Sequence, residues 1–313
     1  MRTRGQEPPP ASNHSATWQG VAAIVIWSSL ATLTTLSGPL PPLQMTAMSF
    51  VIATCVGLVY GLMNGSCLRA MFVMPVPAFL LGVIGLLGYH AAYFYALKTA
   101  PPLEASIISY LWPLLIVIFS AFLPLERGGG HFSWRVAIGA LLSAAGAAIA
   151  LLGNSSALTL SGSLSGYAAA LAAAIIWATY SVGTRLLPHV PTSAMTGICA
   201  MTAAGAGFLH LATETTRWPL APSESLVILL AGLGPVGLAF YWWDTGMKHG
   251  DIRLLAVLSY MTPILSTMTL AVFGIGRLTP AVAVATLLVT VGAIVATSNG
   301  TRMTGRFKVK RPG

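Results

Sequence analysis

The sequence predicts an all-α integral membrane protein whose ten transmembrane helices form two five-helix halves of opposite orientation. The first observation behind this is composition. The chain has 313 residues, of which 56% are hydrophobic and 7% charged, and its mean hydropathy is +0.79. Soluble domains carry about 25% charged residues, so lipid must solvate much of this surface. The second is an internal repeat at a constant spacing of 150 residues: Trp27 falls on Trp177, Lys98 on Lys248 and Arg127 on Arg277. In the same register, Ser109-Tyr110-Leu111-Trp112-Pro113-Leu114-Leu115 falls on Ser259-Tyr260-Met261-Thr262-Pro263-Ile264-Leu265. The third is the placement of Lys and Arg, taken up below.

The elements follow in order. Residues 1–17 are polar and Pro-rich (Glu7-Pro8-Pro9-Pro10) and are expected to be a disordered cytoplasmic tail without the pattern of a cleaved signal peptide. A spanning helix needs about 20 apolar residues, and ten segments qualify. They are 18–37, 43–63, 76–97, 102–124, 133–153, 164–186, 192–212, 225–247, 252–274 and 279–299. Turn-forming residues separate them: Ser37-Gly38-Pro39 with Pro41-Pro42, Asn64-Gly65-Ser66, Pro101-Pro102, Gly128-Gly129-Gly130, Gly153-Asn154-Ser155-Ser156, and Pro219 to Ser225. The halves are 18–153 and 164–300, followed by a basic cytoplasmic tail at 301–313.

Lys and Arg orient the chain. With the N-terminus cytoplasmic, thirteen basic residues lie inside and three (Lys98, Arg217, Arg277) outside, so both termini are expected in the cytoplasm. Five spans per half is an odd number, so the second half enters the membrane upside down. Inverted repeats of this kind build transporters that hold substrate near the midplane between the halves and open alternately to either side.

The net charge of +9 does not point to nucleic acid. Five basic residues crowd the last dozen positions, as suits a tail near anionic lipid. Cys55, Cys67 and Cys199 show neither disulfide pairing nor metal-ligand spacing. No phosphate loop, metal cluster or nucleophile–base arrangement is visible, so neither an enzyme nor a cofactor is expected.

Matching breaks in the two halves point to the site. Pro113 and Pro263 sit near the middle of the fourth and ninth spans. Each lacks an N–H and crowds the carbonyl four residues back, at Ser109 and Ser259. A carbonyl freed at membrane depth needs a partner inside the protein, whether a neighbouring helix, a water or a substrate ammonium. Both prolines are candidate hinges. In the third span, Gly82, Gly85 and Gly88 share a face that admits a close neighbour. Tyr89 and Tyr93 form a stripe at i, i+4 with His90 beside it. Aromatics recur near the centre at Tyr110, Trp112, Trp27, Trp177, Tyr260 and Trp242-Trp243, whereas Trp18, Trp134 and Trp218 read as interface residues. Such a cavity suits a substrate with an aromatic or apolar body, or a cation over ring faces. The candidate substrate-binding set is Tyr89, His90, Tyr93, Tyr110 and Trp112 from the first half and Trp177, Ser259 and Tyr260 from the second.

Acidic residues avoid the span centres. Glu104 opens the fourth helix, and Asp244 precedes Lys248 by one turn at the end of the eighth, as a favourable i, i+4 pair. Only His90 titrates near neutral pH at depth. Facilitated, down-gradient transport is therefore expected, with proton exchange through His90 as the alternative.

These residues resemble a family. Ten spans in two inverted fives, with Ala105-Ser106 through Pro113 to Glu126-Arg127, resemble the EamA-type drug/metabolite transporters over roughly 18–300. The second half has Gly276-Arg277 where the first has the Glu-Arg pair. Tyr110-Leu111-Trp112-Pro113 with the Tyr/His-rich third helix is most similar to members that export aromatic amino acids. The resemblance implies a bacterial inner-membrane protein with a basket-like fold and a central cavity. It implies export of Phe, Tyr and Trp, other amino acids or methyl viologen, with the fifth and tenth helices away from the cavity. The small residues of those helices (Gly139, Ser143, Gly146; Gly292, Ala293, Ala296) suit helix packing or a weak homodimer. Exporters of organic cations or other metabolites are the nearest rivals, and a non-transporting scaffold a more distant one.

Overall fold

The computed structural model describes residues 14–120, 122, 134–152, 160–184, 186, 187, 190–218, 221–249, 255, 258, 259, 261–275 and 278–297. The predicted tails fall largely outside these, as do Glu126, Arg127, Gly276, Arg277 and Tyr260. The described secondary structure is all helical: α1 (His14–Trp27), α2 (Leu30–Leu36), α3 (Pro42–Met63), α4 (Leu68–Phe72), α5 (Val76–Thr99), α6 (Pro102–Ser109), α7 (Trp112–Ser120), α8 (Trp134–Leu152), α9 (Leu160–Thr184), α10 (Met195–Thr213), α11 (Pro222–Leu233), α12 (Ala239–His249), α13 (Met261–Val272) and α14 (Pro280–Thr297). Among the described residues, six stretches are long and apolar enough to cross a membrane: His14–Leu36, Pro42–Met63, Val76–Thr99, Leu164–Thr184, Thr192–Thr213 and Pro222–Gly246. Four shorter apolar helices lie at Pro102–Ile116, Ala137–Gly146, Met261–Val272 and Pro280–Gly292. Large apolar side chains such as Leu62, Val76, Ile84, Phe208 and Leu226 are exposed on the outer surface, where a bilayer replaces water.

Helix breaks shape the centre. The first helix starts at His14, inside the stretch expected to be a tail, and breaks at Ser28-Ser29. The Ser28 and Ser29 hydroxyls donate to the Val25 and Ile26 carbonyls, so side chains satisfy part of the interrupted ladder. The fourth span breaks at Tyr110-Leu111, just ahead of Pro113. Proline is tolerated in the first turn of a helix, where an N–H needs no partner. The chain therefore stops α6 early and restarts α7 with Pro113 in its first turn, and Pro263 lies among the first residues described for α13. The eighth span breaks in a way the sequence reading did not anticipate. A π turn at Gly234–Leu238 joins α11 to α12, and a Cβ at Gly237 would collide with the Gly232 carbonyl.

Small residues set the packing. Gly82 meets Ile198 on α10, and Gly85 and Gly88 meet Tyr180 and Ile176 on α9, so the predicted glycine face is the seam between α5 and these helices. Gly246 on α12 abuts the Gly20 Cα and the Ala16 carbonyl on α1. Gly146 and Gly292 bring α8 against α14, where the Ser143 hydroxyl donates to the Val289 carbonyl at 3.4 Å. The small residues of these two helices are thus engaged within the chain.

Candidate functional site

Two cavities share the centre. The wider encloses about 450 Å³ and runs from Trp112 and Trp177 to Thr184, Leu187, Pro191 and Asp244 at one end of the helices. Small-ligand sites commonly enclose about 300–1,000 Å³. The second, a chamber of about 40 Å³, is lined by Leu30, Tyr89, His90, Tyr93, Tyr110 and Thr262. It has room for about one water and none for an amino acid. Trp27, Trp112, Trp177 and Phe240 line both and form the partition between them.

Ring stacking builds that partition. Trp27 lies edge-on to Trp177 at 6.0 Å between centroids and to Phe240 at 5.7 Å, with Trp243 at 5.2 Å. Tyr89 stacks on Tyr93 at 5.5 Å and touches Trp177 at 5.0 Å. The Trp27 indole N–H donates to the Pro235 carbonyl at 3.0 Å, inside the π turn. A backbone acceptor at the break thereby fixes the tryptophan at the centre. Pairs in the repeat register meet here: Trp27 with Trp177, and His90 with Phe240 at 5.9 Å.

His90 is buried among the rings of Phe50, Tyr89, Phe94 and Phe240. Its Nδ1 lies 2.9 Å from the Leu86 carbonyl. A carbonyl only accepts, so Nδ1 carries a proton, and in the neutral ring Nε2 is an acceptor. Neither His90 Nε2 nor Thr262 Oγ1 has a hydrogen-bond partner among the described residues. Both residues line the chamber. Two unsatisfied buried polar atoms facing one small space suit a water or a polar substrate group. Tyr93 Oη lies 3.5 Å from Ser106 Oγ.

Of the predicted residues, Tyr89, His90, Tyr93 and Tyr110 surround the chamber, and Trp112 and Trp177 belong to the partition. Ser259 is buried but is not part of either wall. Tyr260 and the Pro113 side chain lie outside the description, and Pro263 is buried at the start of α13. The predicted set did not include Trp27, Phe240, Trp243, Tyr180, Asp244 and Thr262. The Trp27–Trp177 register was the available signal for the first. For Thr262 it was the match to Trp112.

The far end of the molecule is sealed by polar contacts between distant segments. The Glu214 carboxylate accepts from the Leu43 and Gln44 amides at 3.0 and 3.2 Å and meets His210 Nδ1 at 2.8 Å. Pro41 offers no side-chain cap to α3, so Glu214 supplies acceptors to its unsatisfied N-terminal amides, where negative charge is favoured. Gln44 and Arg217 exchange two hydrogen bonds through the Gln44 side chain and the Arg217 backbone, each at 3.0 Å. Arg217 pairs with Glu224 at 3.4 Å, and Glu224 accepts from the Ala221 amide at 2.9 Å. Lys98 Nζ donates to Ser37 Oγ at 2.8 Å and to the Gly38 carbonyl at 2.7 Å. No group of three or more His, Cys, Asp or Glu placed to hold a metal occurs among the described residues.

A helical membrane protein with a central aromatic cavity, open at one end and polar-sealed at the other, has the architecture of a small-molecule carrier. The chain belongs to the EamA-like transporter family, whose profile matches twice, over residues 15–152 and 164–298. It is 46% identical over 288 residues to a protein of Ancylobacter novellus named Aromatic amino acid exporter YddG, covering 91% of this chain and 98% of that one. Proteins of the same name from Escherichia coli K12 and Salmonella typhimurium are each 26% identical, over 59% and 82% of this chain and 61% and 87% of their own. A solved crystal structure with 45% identity superposes with a TM-score of 0.73, covering 92% of this chain and 99% of that one.

Proposed function

We propose that this chain exports aromatic amino acids across a bacterial inner membrane, by alternating access between two inverted halves, 18–153 and 164–300, each of five spans. The observation that carries this reading is the aromatic cavity, open at one end and sealed at the other, in a chain 46% identical to a protein named as an aromatic amino acid exporter. The double family match supports two halves. So does the meeting of register partners at the centre, since residues on a two-fold axis touch their own counterparts. Six long spans and four shorter apolar helices are compatible with ten crossings.

The distribution of Lys and Arg puts the open end and both termini on the cytoplasmic side, so the conformation faces inward. Substrate enters from the cytoplasm and its ring stacks against Trp112, Trp177 and Trp27. The partition then yields, and the chamber enlarges around Tyr89, His90, Tyr93 and Tyr110. Motion of α7 and α13 about Pro113 and Pro263 supplies the opening, with Ser259 and Tyr260 joining the wall from the second half. His90 Nε2 and Thr262 Oγ1 take the polar groups of the substrate. Transport runs down the substrate gradient, and the protein acts as a monomer or weak dimer.

A second reading, export of organic cations such as methyl viologen, gains support from Asp244 in the cavity wall. Efflux from proteoliposomes loaded with labelled Phe, Leu, Thr or methyl viologen, at equal and unequal pH, decides between them. Phe is expected to leave fastest and without a pH gradient. Equal background leak of all four removes the transport reading. A preference for methyl viologen selects the cation reading, and a strict need for a pH gradient replaces facilitation by proton exchange.

A further inference from the structure

The wide cavity points to a second one through the repeat register. Four of its wall residues are Trp112 and Ile116 on α7, Thr184 at the end of α9, and Leu187 just beyond it. Shifted by 150 residues they become Thr262, Ser266, Thr34 and Ser37. All four counterparts carry a hydroxyl, and all four are buried. In the reading of two inverted halves, exchanging their roles opens the cavity to the other side. The counterparts of an open wall then mark the wall that opens at the sealed end.

The path they mark starts in the chamber. Thr262 lines it, and Ser266 follows one turn later on the same face of α13. The Ser266 hydroxyl lies toward that of Tyr110, a chamber residue, but outside hydrogen-bond geometry. Thr262 Oγ1 and Ser266 Oγ are both buried without a hydrogen-bond partner among the described residues. Buried hydroxyls are ordinarily paired, so two orphans one turn apart suit a polar group that comes and goes. Thr267, next in the chain and facing α14, has no such need: its hydroxyl donates to the Pro263 carbonyl at 2.8 Å and lies 3.4 Å from Thr286 Oγ1. Beyond Ser266, the Thr32 hydroxyl of α2 donates to Thr269 Oγ1 at 3.0 Å, and Thr269 Oγ1 lies 3.2 Å from the Ser28 carbonyl. These bonds close the seam between α2 and α13. Ser37, just past the end of α2, is held by Lys98. The hydroxyl track therefore runs from the chamber to the clamp.

We propose that the seam between α2 and α13 is the exit route, and that Thr262 and Ser266 form its first subsite, for the ammonium and carboxylate of a departing amino acid. This rests on the export reading above, with its two inverted halves, and adds the group that is held on exit. A hydroxyl donates to a carboxylate and accepts from an ammonium, so one pair serves both charges of a zwitterion. At the open end the counterparts Trp112 and Ile116 offer ring and aliphatic surface instead. Entry is thus read by the substrate's ring and exit by its head group.

The first test is access. Ser266→Cys and Thr267→Cys are each labelled in the full-length chain by a membrane-impermeant thiol reagent from the sealed side, with Cys55, Cys67 and Cys199 replaced and Glu214→Ala added to loosen the clamp. Ser266→Cys should react at least roughly tenfold faster than Thr267→Cys. Silence at Ser266→Cys, or equal reaction at both, removes the exit route. The second test is the head group. In the same background, phenylalanine applied from the sealed side should protect Leu30→Cys, a chamber position. Ser266→Ala should raise the half-protecting concentration about tenfold, the loss of one charge-assisted contact. Benzyl alcohol, which shares the ring and lacks both charges, should protect equally with and without Ser266→Ala. Unchanged phenylalanine protection, or equal weakening for both probes, overturns the subsite. Neither readout requires net transport, so absence of phenylalanine efflux from wild-type proteoliposomes counts against the export reading alone.

Discussion

The two ends of the central cavity are built differently. At the sealed end, Gln44, Glu214, Arg217 and Glu224 tie the start of α3 to the segment between α10 and α11, and Lys98 ties the end of α5 to the α2–α3 turn. At the open end, the described walls are mostly aliphatic and aromatic, with Ser181, Thr184 and the Asp244 carboxylate among them. The 150-residue register makes the contrast sharper. Gln44, Glu214, Arg217 and Glu224 correspond to Ala194, Asn64, Cys67 and Met74. Only Lys98 has a like partner, Lys248. The proposed inverted repeat would suggest two interchangeable gates, yet the register counterparts of these four clamp residues carry no charge. The sealed end is held by hydrogen bonds and an ion pair. These contacts favour the conformation in which this end is shut. They also explain why Lys98 and Arg217 stand on the side that Lys and Arg otherwise avoid, since both are spent in the clamp.

The largest expected effect comes from Glu214→Ala. It removes a carboxylate from the amino end of α3 and from His210 together. Hydrogen bonds to charged groups contribute about 1.5–3 kcal/mol each, with water recovering part at an accessible rim, so the clamp should loosen by about 2–3 kcal/mol. That corresponds to a rise of roughly 30- to 150-fold in the open-to-closed ratio at this end. The measurement is labelling of Thr262→Cys by a membrane-impermeant thiol reagent applied from the sealed side, with Cys55, Cys67 and Cys199 replaced. Unchanged labelling would mean that the network is not what holds this end shut.

Much of this arrangement is legible in the sequence, and the failures have a common cause. Spans such as 43–63 and 76–97 correspond to α3 and α5 because length and hydropathy alone decide them. Pro113 marks a real break because a missing N–H acts locally. The face of α12 is another matter. The sequence places Asp244 one turn before Lys248 at a helix end, which says nothing of its lining the cavity. The π turn at Gly234–Leu238 intervenes, however, and one extra residue rotates everything after it by about 100°. The contact of Gly246 with Gly20 then fixes the rotation that turns Asp244 into the cavity wall. Phe240 escapes the sequence reading for a related reason, and Trp27, expected near the centre, stays outside the candidate set. They contact the centre through the breaks at Ser28-Ser29 and at the π turn, and neither break carries an interior proline pair like that of the fourth and ninth spans. The clamp joins residues about 170 apart in the chain, and nothing local to Gln44 or Glu214 announces the other.

A smaller effect separates the paired lysines. Lys98→Met removes two short bonds to Ser37 and Gly38 and should raise labelling from the sealed side roughly tenfold, about 1.5 kcal/mol. By register Lys248 belongs to the opposite end. Lys248→Met should leave that labelling level or lower it. An equal rise in both variants would break the comparison, because it would make the ends equivalent after all. Next in size is Gln44→Ala, which removes a neutral pair of bonds to the Arg217 backbone. The same assay should register roughly a fivefold rise, about 1 kcal/mol.

The smallest effect tests whether charge or hydrogen bonding dominates the seal. Arg217 is half-exposed and meets Glu224 at 3.4 Å, the geometry of a surface pair contributing about 0–1 kcal/mol. Salt shortens the Debye length from about 10 Å at 0.1 M to about 3 Å at 1 M. The Glu214 contacts with the α3 amides are short and partly buried, so screening reaches them poorly. High salt on the sealed side should therefore raise labelling of Thr262→Cys less than about fivefold. Arg217→Gln should remove most of even that response. A salt effect as large as the Glu214→Ala effect would instead make long-range attraction the cause of closure. The contrast between the two ends would then reduce to their net charge rather than to the capped helix.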